Sequence, residues 1–410
     1  MQTGRAAVDA PTRGQKLSRT FSYYALFMCL GLDTGVVGPI IPALAGQTGV
    51  AVQSVGILFF LGAGGATVGT ILSGRLFKRS RGHLIMGLSQ IGAGLIVAMV
   101  PFSPWFWLVC ALNFAKGALC GVISAGANTL LLWTHGKKAS PFLNGLHFSF
   151  GFGAFLAPLV AAQVVAQQGG YRWALWILAA FMCLAGLRVL FLQGQPSADA
   201  TAPGAPQKGS AHQNDAALPV RAVLVSAALF LFFYVSAEIS FGGWVFTYAI
   251  TTHLASETAA AYLNSGFWLF FTLGRLVSVL VAIRLRPQRV IPASIAGSLL
   301  AIALLILARS SPDLFWVASL SLGFFMAPLW PSGFALAGNM VNLSARRSSA
   351  VLIGDTAGGM ILPSLIGVVI RAAGAPAMIW LVGASMVLTA VSFLGMRLAG
   401  RHFRLTETAP

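Results

Sequence analysis

Charge is scarce in this sequence of 410 residues. Only 9% of the residues are charged, and acids are the scarcest, with 9 Asp and Glu against 26 Lys and Arg. Soluble globular domains carry roughly 25% charged residues. Because a soluble core of this size needs a charged shell, the deficit excludes a water-soluble protein and predicts that lipid surrounds most of the chain.

Cysteines and catalytic motifs are also few. The four cysteines, Cys29, Cys110, Cys120 and Cys183, lie in apolar stretches and form no CxxC pair, so no disulfide framework or metal site is predicted. The sequence contains no GxxxxGK[ST], HExxH or GxSxG motif. We therefore expect neither an enzyme nor an ATP-driven pump, and no cofactor beyond a coupling proton or sodium ion.

The net charge of +17 has a membrane explanation. The basic residues stand in short runs between apolar segments, which is typical of cytoplasmic loops. Nucleic-acid binding would need them clustered on a polar folded surface. The expected partners are the lipid bilayer and a small-molecule substrate, with no nucleic acid, and the chain is expected to act as a monomer.

Twelve apolar stretches are long enough to cross a bilayer as helices, which takes about 20 residues each. No cleavable signal pattern precedes the first of them. The predicted spans are 21–44, 51–74, 83–101, 104–133, 141–168, 172–192, 219–250, 258–283, 290–308, 313–339, 348–371 and 376–398.

The basic residues give these spans an orientation. With twelve spans, twenty-one of the 26 basic residues fall on the side of both termini, and only Arg172, Arg309 and Arg371 fall on the other. Lys116 and Arg275 lie within spans. Because positive loops stay inside, both termini are predicted to be cytoplasmic, in a bacterial inner (plasma) membrane.

The chain also repeats itself. A constant shift of 205 residues, without gaps, places Asp33 on Glu238, Gly69 on Gly274 and Pro158 on Pro363. This repeat favours two six-helix halves related by an axis along the membrane normal. Between the halves, Pro, Gly, Ser, Ala and Gln predominate, which is typical of a flexible linker. The predicted units are an N-terminal tail at 1–20, a first half at 21–192, a linker at 193–218, a second half at 219–398 and a C-terminal tail at 399–410.

These features resemble the major facilitator superfamily over essentially the whole chain. The segment 74–79, Gly-Arg-Leu-Phe-Lys-Arg, resembles its signature loop after span 2. Lys78 stands where that motif usually has an acid, and the resemblance implies gating roles for Arg75 and Arg79. It also implies the fold: an all-α membrane protein with twelve transmembrane helices in two pseudo-symmetric halves.

The second half is similar to the fucose permease branch, which includes sodium-glucose-transporter-like proteins. The resemblance rests on segments 274–276 in span 8, 325–331 in span 10 and 358–363 in span 11, and on residues 143–154 in span 5. Glu238 with 242–248 resembles span 7 of related members. This similarity implies a cation-coupled carrier of a sugar or similar small polar solute, working by alternating access.

A second resemblance lies in the first half. Leu32-Asp33-Thr34 followed by Pro42, and a degenerate span 5 pattern around Pro158, are similar to drug/proton antiporters. Asp33 stands about two residues too far from Pro39 for the fucose permease pattern, and two residues turn a helix by about 200°. Export of hydrophobic or cationic compounds is therefore the alternative function.

Five ionisable residues lie within spans: Asp33, Lys116, Glu238, Arg275 and Asp355. A charge inside the bilayer costs about 2.5 to 3.5 kcal/mol, so such residues generally face a cavity or a partner. We predict cation coupling by Asp33 and Glu238, with fixed pairing to Lys116 or Arg275 as the structural alternative. Arg275 is expected in a gating ion pair, and Lys116 and Asp355 at the substrate cavity.

Further polar and aromatic side chains within spans are candidates for the substrate cavity. His147 and the amides could bond substrate hydroxyl groups or neighbouring helices, and the indole rings could stack on a sugar. These candidates are Asn128, Asn144, His147, Trp244, Tyr248, Asn264 and Trp330.

Overall fold

The computed structural model describes residues 12–77, 82–164, 170–192, 218–308, 310–341 and 345–407. These residues form an all-helical bundle with twelve helical segments long and apolar enough to cross a membrane. The helices are α1 (Arg13–Thr48), α2 (Ile57–Leu76), α3 (Gly82–Met99), α4 (Phe106–His135), α5 (Ala139–Val164), α6 (Gly170–Leu190), α7 (Leu218–Thr251), α8 (Glu257–Arg284), α9 (Pro287–Leu307), α10 (Pro312–Met326), α11 (Leu329–Met340), α12 (Ala345–Ala373) and α13 (Ala377–Glu407).

The two terminal helices extend beyond the predicted spans. α1 begins at Arg13 rather than at 21, and its start is fixed by a capping box between Thr12 and Gln15. α13 continues to Glu407 rather than ending at 398. Hydropathy detects only the apolar part of a helix, so the polar turns at the start of α1 and at the end of α13 were assigned to tails. Nearly all of the predicted linker, 193–217, lies outside the described residues.

Span 10 is broken into two helices. The predicted single segment at 313–339 is divided between α10, which ends at Met326, and α11, which begins at Leu329. Pro328 and Pro331 lie at this break, and proline offers no N–H to the carbonyl four residues earlier. The break therefore follows from two prolines that the hydropathy pattern does not register.

The predicted repeat of two halves is confirmed by equivalent close helix packing. A Cβ on Gly69 of α2 would lie 1.8 Å from the Ala118 carbonyl oxygen of α4. A Cβ on its counterpart, Gly274 of α8, would lie 2.4 Å from the Phe324 carbonyl oxygen of α10. The same helix pair is thus packed through a glycine in both halves, since only a residue without Cβ permits such an approach.

The first half contains its own buried core. One hydrophobic cluster draws all its fully buried members from residues 23–189, including Tyr23, Met86 and Met182. A larger cluster is centred on the second half and also takes in Ile41, Leu44 and Val55 of the first. The first half therefore has a core of its own, while the core of the second half continues into the first at these residues.

Several hydrogen bonds between the halves lie toward the end of the bundle distant from both termini. Arg371 at the end of α12 donates a 2.7 Å hydrogen bond to Ser54, just before α2. Gln163 near the end of α5 donates to the Tyr262 hydroxyl near the start of α8 at 2.7 Å. This end of the bundle is closed by contacts that join the two halves.

Candidate functional site

Asp33 of α1 and Lys116 of α4 form a close ion pair in the first half. The Lys116 ammonium donates to the Asp33 carboxylate with an Nζ–Oδ1 distance of 2.7 Å. Their side chains retain 13% and 17% of their exposure for Lys116 and Asp33, respectively. The carboxylate and the ammonium balance each other's charge.

Glu238 of α7 and Arg275 of α8 form the corresponding pair in the second half, at an Nη2–Oε1 distance of 3.8 Å. The Arg275 guanidinium also lies over the Phe271 ring, 4.5 Å from its centroid, which is a favourable cation–π position. The repeat relates the two acids, but their cationic partners come from helices that are not repeat counterparts.

Asp355 of α12 is held beside the break in span 10. The Trp330 indole of α11 donates to the Asp355 carboxylate at 2.8 Å, and its ring stacks on Phe334 with centroids 5.6 Å apart. Asp355 also interacts electrostatically with Glu238 and Arg275. Three predicted residues, Glu238, Arg275 and Asp355, are therefore brought into one group.

Glycines in α12 position this group. A Cβ on Gly354 would lie 1.9 Å from the Ala228 carbonyl oxygen of α7, and one on Gly358 would lie 2.2 Å from the Phe232 carbonyl oxygen. The spacing of four residues on both helices produces a continuous seam. Asp355, next to this seam, is thereby carried toward the face of α7 that holds Glu238.

Three of the four paired side chains remain partly exposed although they lie well inside their helices, whereas Glu238 is buried. Arg275 keeps 23% of its side-chain exposure and Asp33 keeps 17%. Charged groups at this depth face a bundle interior or a water-filled cavity rather than lipid. The two ion pairs are therefore interior groups of the bundle.

Tyr234 was missed at the sequence level. It lies one helical turn before Glu238 on α7, and it is fully buried. The hydroxyl interacts electrostatically with both Glu238 and Arg275. The spacing of four residues before an intramembrane acid is the signal that could have identified it.

Three predicted cavity residues are engaged in helix contacts in this structure. Trp244 is fully buried and donates to the Pro363 carbonyl at 2.8 Å. Tyr248 is buried and stacks on Phe315, and Asn264 donates to the Gly242 carbonyl at 2.8 Å. Their substrate contacts remain predictions.

The remaining polar candidates have different surroundings. Asn128 donates to the Ser124 carbonyl of its own helix at 2.9 Å. Asn144 and His147 are exposed on the part of α5 nearest the side of the termini, and His147 meets the Phe27 ring edge to face at 5.6 Å. They lie on the opposite end of the bundle from the contacts that join the halves.

The predicted gating residues Arg75 and Arg79 cannot be placed, because the side chain of Arg75 and all of Arg79 lie outside the described residues. Within the described ranges, no group of three His, Cys, Asp or Glu could hold a metal ion. A groove of about 440 Å³ between α2 and α12, near Ser54 and Arg371, contains none of the predicted site residues.

The family model described as Major Facilitator Superfamily matches residues 23–256. The chain is 30% identical to sodium-dependent glucose transporter 1A of Mus musculus over 378 residues, covering 84% of this chain and 88% of the relative. It is 31% identical to sodium-dependent glucose transporter 1 of Rattus norvegicus, covering 93% and 86%. Major facilitator superfamily domain-containing protein 4A of Xenopus tropicalis is 25% identical, with coverage of 87% and 86%.

Solved structures share the fold. A bacterial homologue of the human lysosomal transporter Spinster aligns with a TM-score of 0.74 at 14% identity, covering 98% of this chain and 100% of the other. A D-xylose-proton symporter aligns with a TM-score of 0.69 at 15% identity, covering 92% and 96%. At these identities the likeness shows the fold, and the predicted architecture of twelve helices in two halves is confirmed.

Proposed function

Because this chain belongs to the major facilitator superfamily, we propose that it is a secondary carrier that moves a sugar across the membrane, driven by a sodium or proton gradient. The observation that carries this proposal is the presence of two acids, Asp33 and Glu238, each paired with a cation inside the bundle. Interior ionisable groups of this kind serve in ion and proton pathways.

The sugar assignment is supported by the relatives. Two proteins named sodium-dependent glucose transporters are 30% and 31% identical to this chain over most of its length. The residues that resemble the fucose permease branch, among them Arg275 and Trp330, lie at or beside the acidic group of the second half. A neutral sugar would need hydrogen-bond donors and acceptors, and a small number of these suffices to orient a ligand.

Coupling is assigned to the ion pairs. A carboxylate that exchanges its protein cation for a sodium ion or a proton changes the contacts between helices, since Asp33 joins α1 to α4 and Glu238 joins α7 to α8. A ligand shifts a conformational equilibrium only through such a difference in contacts. The bound cation would thereby favour one conformation of the carrier over the other.

Alternating access is supported by where the halves touch. Contacts such as Arg371 with Ser54 close the end distant from the termini, while Asn144 and His147 are exposed toward the other end. We assign the open end to the cytoplasm, where the positive-inside rule places both termini. Transport then requires the outer contacts to separate as inner contacts form.

The test uses purified protein in liposomes. Radiolabelled glucose is offered under a sodium gradient, a pH gradient or neither, and exchange is measured by counterflow with unlabelled glucose inside. We expect saturable counterflow without a gradient and accumulation with one. Liposomes without protein, and protein with mannitol in place of internal glucose, serve as controls. The absence of counterflow for every sugar tested would reject the function.

The alternative of drug export has its own readout. A drug-sensitive host that expresses the chain and gains resistance, together with liposomes that show no sugar counterflow, would favour proton-driven export.

A further inference from the structure

A groove runs between α2 and α12 at the closed, outer end of the bundle, where the two halves meet. Its volume is about 440 Å³, and the two helices that form its walls belong to different halves. The deeper part of each wall is apolar and open to the surroundings. Its side chains are 40% to 64% exposed, and they are Ile57, Phe60, Ile361, Leu365 and Val368.

Two glycines bring the helices together beneath this groove. A Cβ on Gly367 of α12 would lie 2.2 Å from the Gln53 carbonyl oxygen. A Cβ on Gly56, just before α2, would lie 3.2 Å from the Ser364 carbonyl oxygen. Neither glycine carries a side chain, so the backbones meet at the floor while the flanking side chains stand apart. The groove therefore exists only while the two halves are in contact at this end.

Arg371 places a positive charge at the outer end of the groove. Its guanidinium donates to the neutral Ser54 hydroxyl at 2.7 Å, and neither of the two ion pairs among the described residues includes it. Residues 34–198 and 356–406, which contain both walls, have no Asp or Glu. The complement of this end is therefore an anion, and the planar fork of arginine suits a phosphate.

The groove also has the depth of one membrane leaflet. Its innermost residue on α12, Ile361, precedes Arg371 by ten residues, which is about 15 Å at 1.5 Å per residue. Half of a hydrocarbon core of about 30 Å is equally deep. A phospholipid combines a phosphate at the membrane surface with an acyl chain below it, whereas a soluble anion has no apolar part for the deeper walls.

Charge rather than apolar contact sets the preference for such a lipid. The tails of bulk lipids are as apolar as Leu365 or Val368, so moving one chain into the groove gains little. A phosphate on Arg371 adds charge-assisted hydrogen bonds. The occupant contacts α2 and α12 together and loses contacts when they separate. A ligand that binds one conformation better shifts the population toward it.

From these observations we propose that the groove binds one phospholipid of the outer leaflet, with its phosphate on Arg371 and one acyl chain along Phe60, Leu365 and Val368. The bound lipid stabilises closure of the outer end. This inference goes beyond the proposed function, and the binding of the lipid does not depend on which solute the protein carries.

The first experiment measures the melting temperature of the purified full-length protein in a neutral detergent and a phosphate-free buffer. Dioleoyl phosphatidylglycerol, dioleoylglycerol, which has the same chains without a phosphate, and inorganic phosphate are added separately. Ligand binding to the folded state raises the melting temperature. The variants are Arg371→Gln, which removes the charge, and Val368→Trp, which fills the groove. Their matched controls are Arg172→Gln, at an exposed arginine predicted on the same side of the membrane, and Val391→Trp, at an exposed valine of α13.

We expect phosphatidylglycerol to raise the melting temperature of wild type and both controls by several degrees, with a several-fold smaller gain in Arg371→Gln and Val368→Trp. The gain should shrink at high salt, because dissolved ions screen exposed charges. A gain equal to that of wild type in either groove variant would overturn the proposal. An equal gain from dioleoylglycerol would show that the phosphate is not recognised, and an equal gain from inorganic phosphate would show that the lipid chain is not; either result also overturns it.

Closure has a separate readout at the other contact between the halves. Gln163→Cys with Tyr262→Cys, in a background without the native cysteines, places two thiols where Gln163 donates to the Tyr262 hydroxyl. The rate of cross-linking by a short bifunctional thiol reagent reports how often the outer end is closed. We expect phosphatidylglycerol to raise this rate several-fold, and we expect Arg371→Gln to abolish the increase. A rate that does not respond to the lipid would overturn its role in closure.

Discussion

Lys116 reaches across from α4 to donate a 2.7 Å hydrogen bond to Asp33 of α1, and this pair joins two helices in the interior of the first half. Its counterpart in the second half is longer, at 3.8 Å, and a second acid, Asp355, interacts electrostatically with the same guanidinium. The two halves therefore repeat the position of an acid while giving it different electrostatic surroundings. This asymmetry allows the two acids to serve different steps of one transport cycle.

The first prediction concerns Asp33. Replacing Asp33 by Asn removes the charge that balances Lys116 and prevents the pair from breaking and re-forming during the cycle. We expect gradient-driven accumulation of sugar to fall at least tenfold while counterflow is retained. Both are measured in liposomes, with Asp313→Asn, at an exposed acid in the first turn of α10, as the control. Normal accumulation by the Asp33 variant would exclude its part in coupling.

A second prediction concerns Arg275. Because Arg275→Gln leaves Glu238 and Asp355 without a protein cation, we expect it to lower stability by about 3 kcal/mol, as breaking a buried pair does. The double variant Arg275→Gln with Glu238→Gln should recover most of the loss. Thermal unfolding of the single and double variants measures this coupling. Additive losses would mean that the 3.8 Å pair contributes little.

The hydrogen bond between Trp330 and Asp355 provides a third prediction. Trp330→Phe keeps a ring that can stack on Phe334 but removes the indole N–H. Since hydrogen bonds to charged groups contribute about 1.5 to 3 kcal/mol, we expect a clear drop in melting temperature. Trp107→Phe, at an exposed indole stacked on Trp105, is the control. Equal effects of the two variants would argue against the bond to Asp355.

The glycine seam gives a fourth prediction. A Cβ at Gly354 would lie 1.9 Å from the Ala228 carbonyl oxygen, whereas a Cβ at Gly46 would meet nothing within 4 Å. Gly354→Ala should therefore separate α12 from α7 and destabilise the protein by about 1 to 3 kcal/mol, and Gly46→Ala should not destabilise it. The yield and melting temperature of the two purified variants decide this, and similar values would contradict the packing.

Closure at the outer end supplies a fifth prediction. Arg371 and Ser54 bond across the two halves. A double cysteine variant at these positions, joined by a short bifunctional thiol reagent in a background without the native cysteines, should hold this end shut. We expect sugar counterflow to stop after cross-linking and to return when a cleavable linker is reduced. Each single cysteine variant, treated with the same reagent, should keep its transport.

Much of the architecture could be predicted from the sequence because a helix that crosses the lipid core must be long and apolar. The twelve spans follow from runs of apolar residues. The repeat follows from matching residues at a constant spacing, such as Gly69 and Gly274, which pack equivalent helix pairs. The break at Pro328 was overlooked because hydropathy averages over it. The polar extension of α1 back to Arg13 was overlooked for the same reason.

The pairing within the site was not predictable to the same degree. The free-energy cost of a charge inside the bilayer singled out five residues as candidates: Asp33, Lys116, Glu238, Arg275 and Asp355. The sequence did not show which acid forms an ion pair with which base. The choice depends on how α1 packs near α4 and how α7 packs near α8, which is a tertiary property. Tyr234 escaped notice because a tyrosine in an apolar span is taken for a core residue until its hydroxyl is seen to interact with Glu238 and Arg275.

The self-contained core of residues 23–189 bears on how the protein is made. Because every buried member of that cluster belongs to the first six helices, they can finish packing in the membrane while the ribosome is still translating the second half. The later helices then dock on a finished surface. A chain cut between the halves and produced as two fragments in one cell should, on this basis, reassemble into a working carrier.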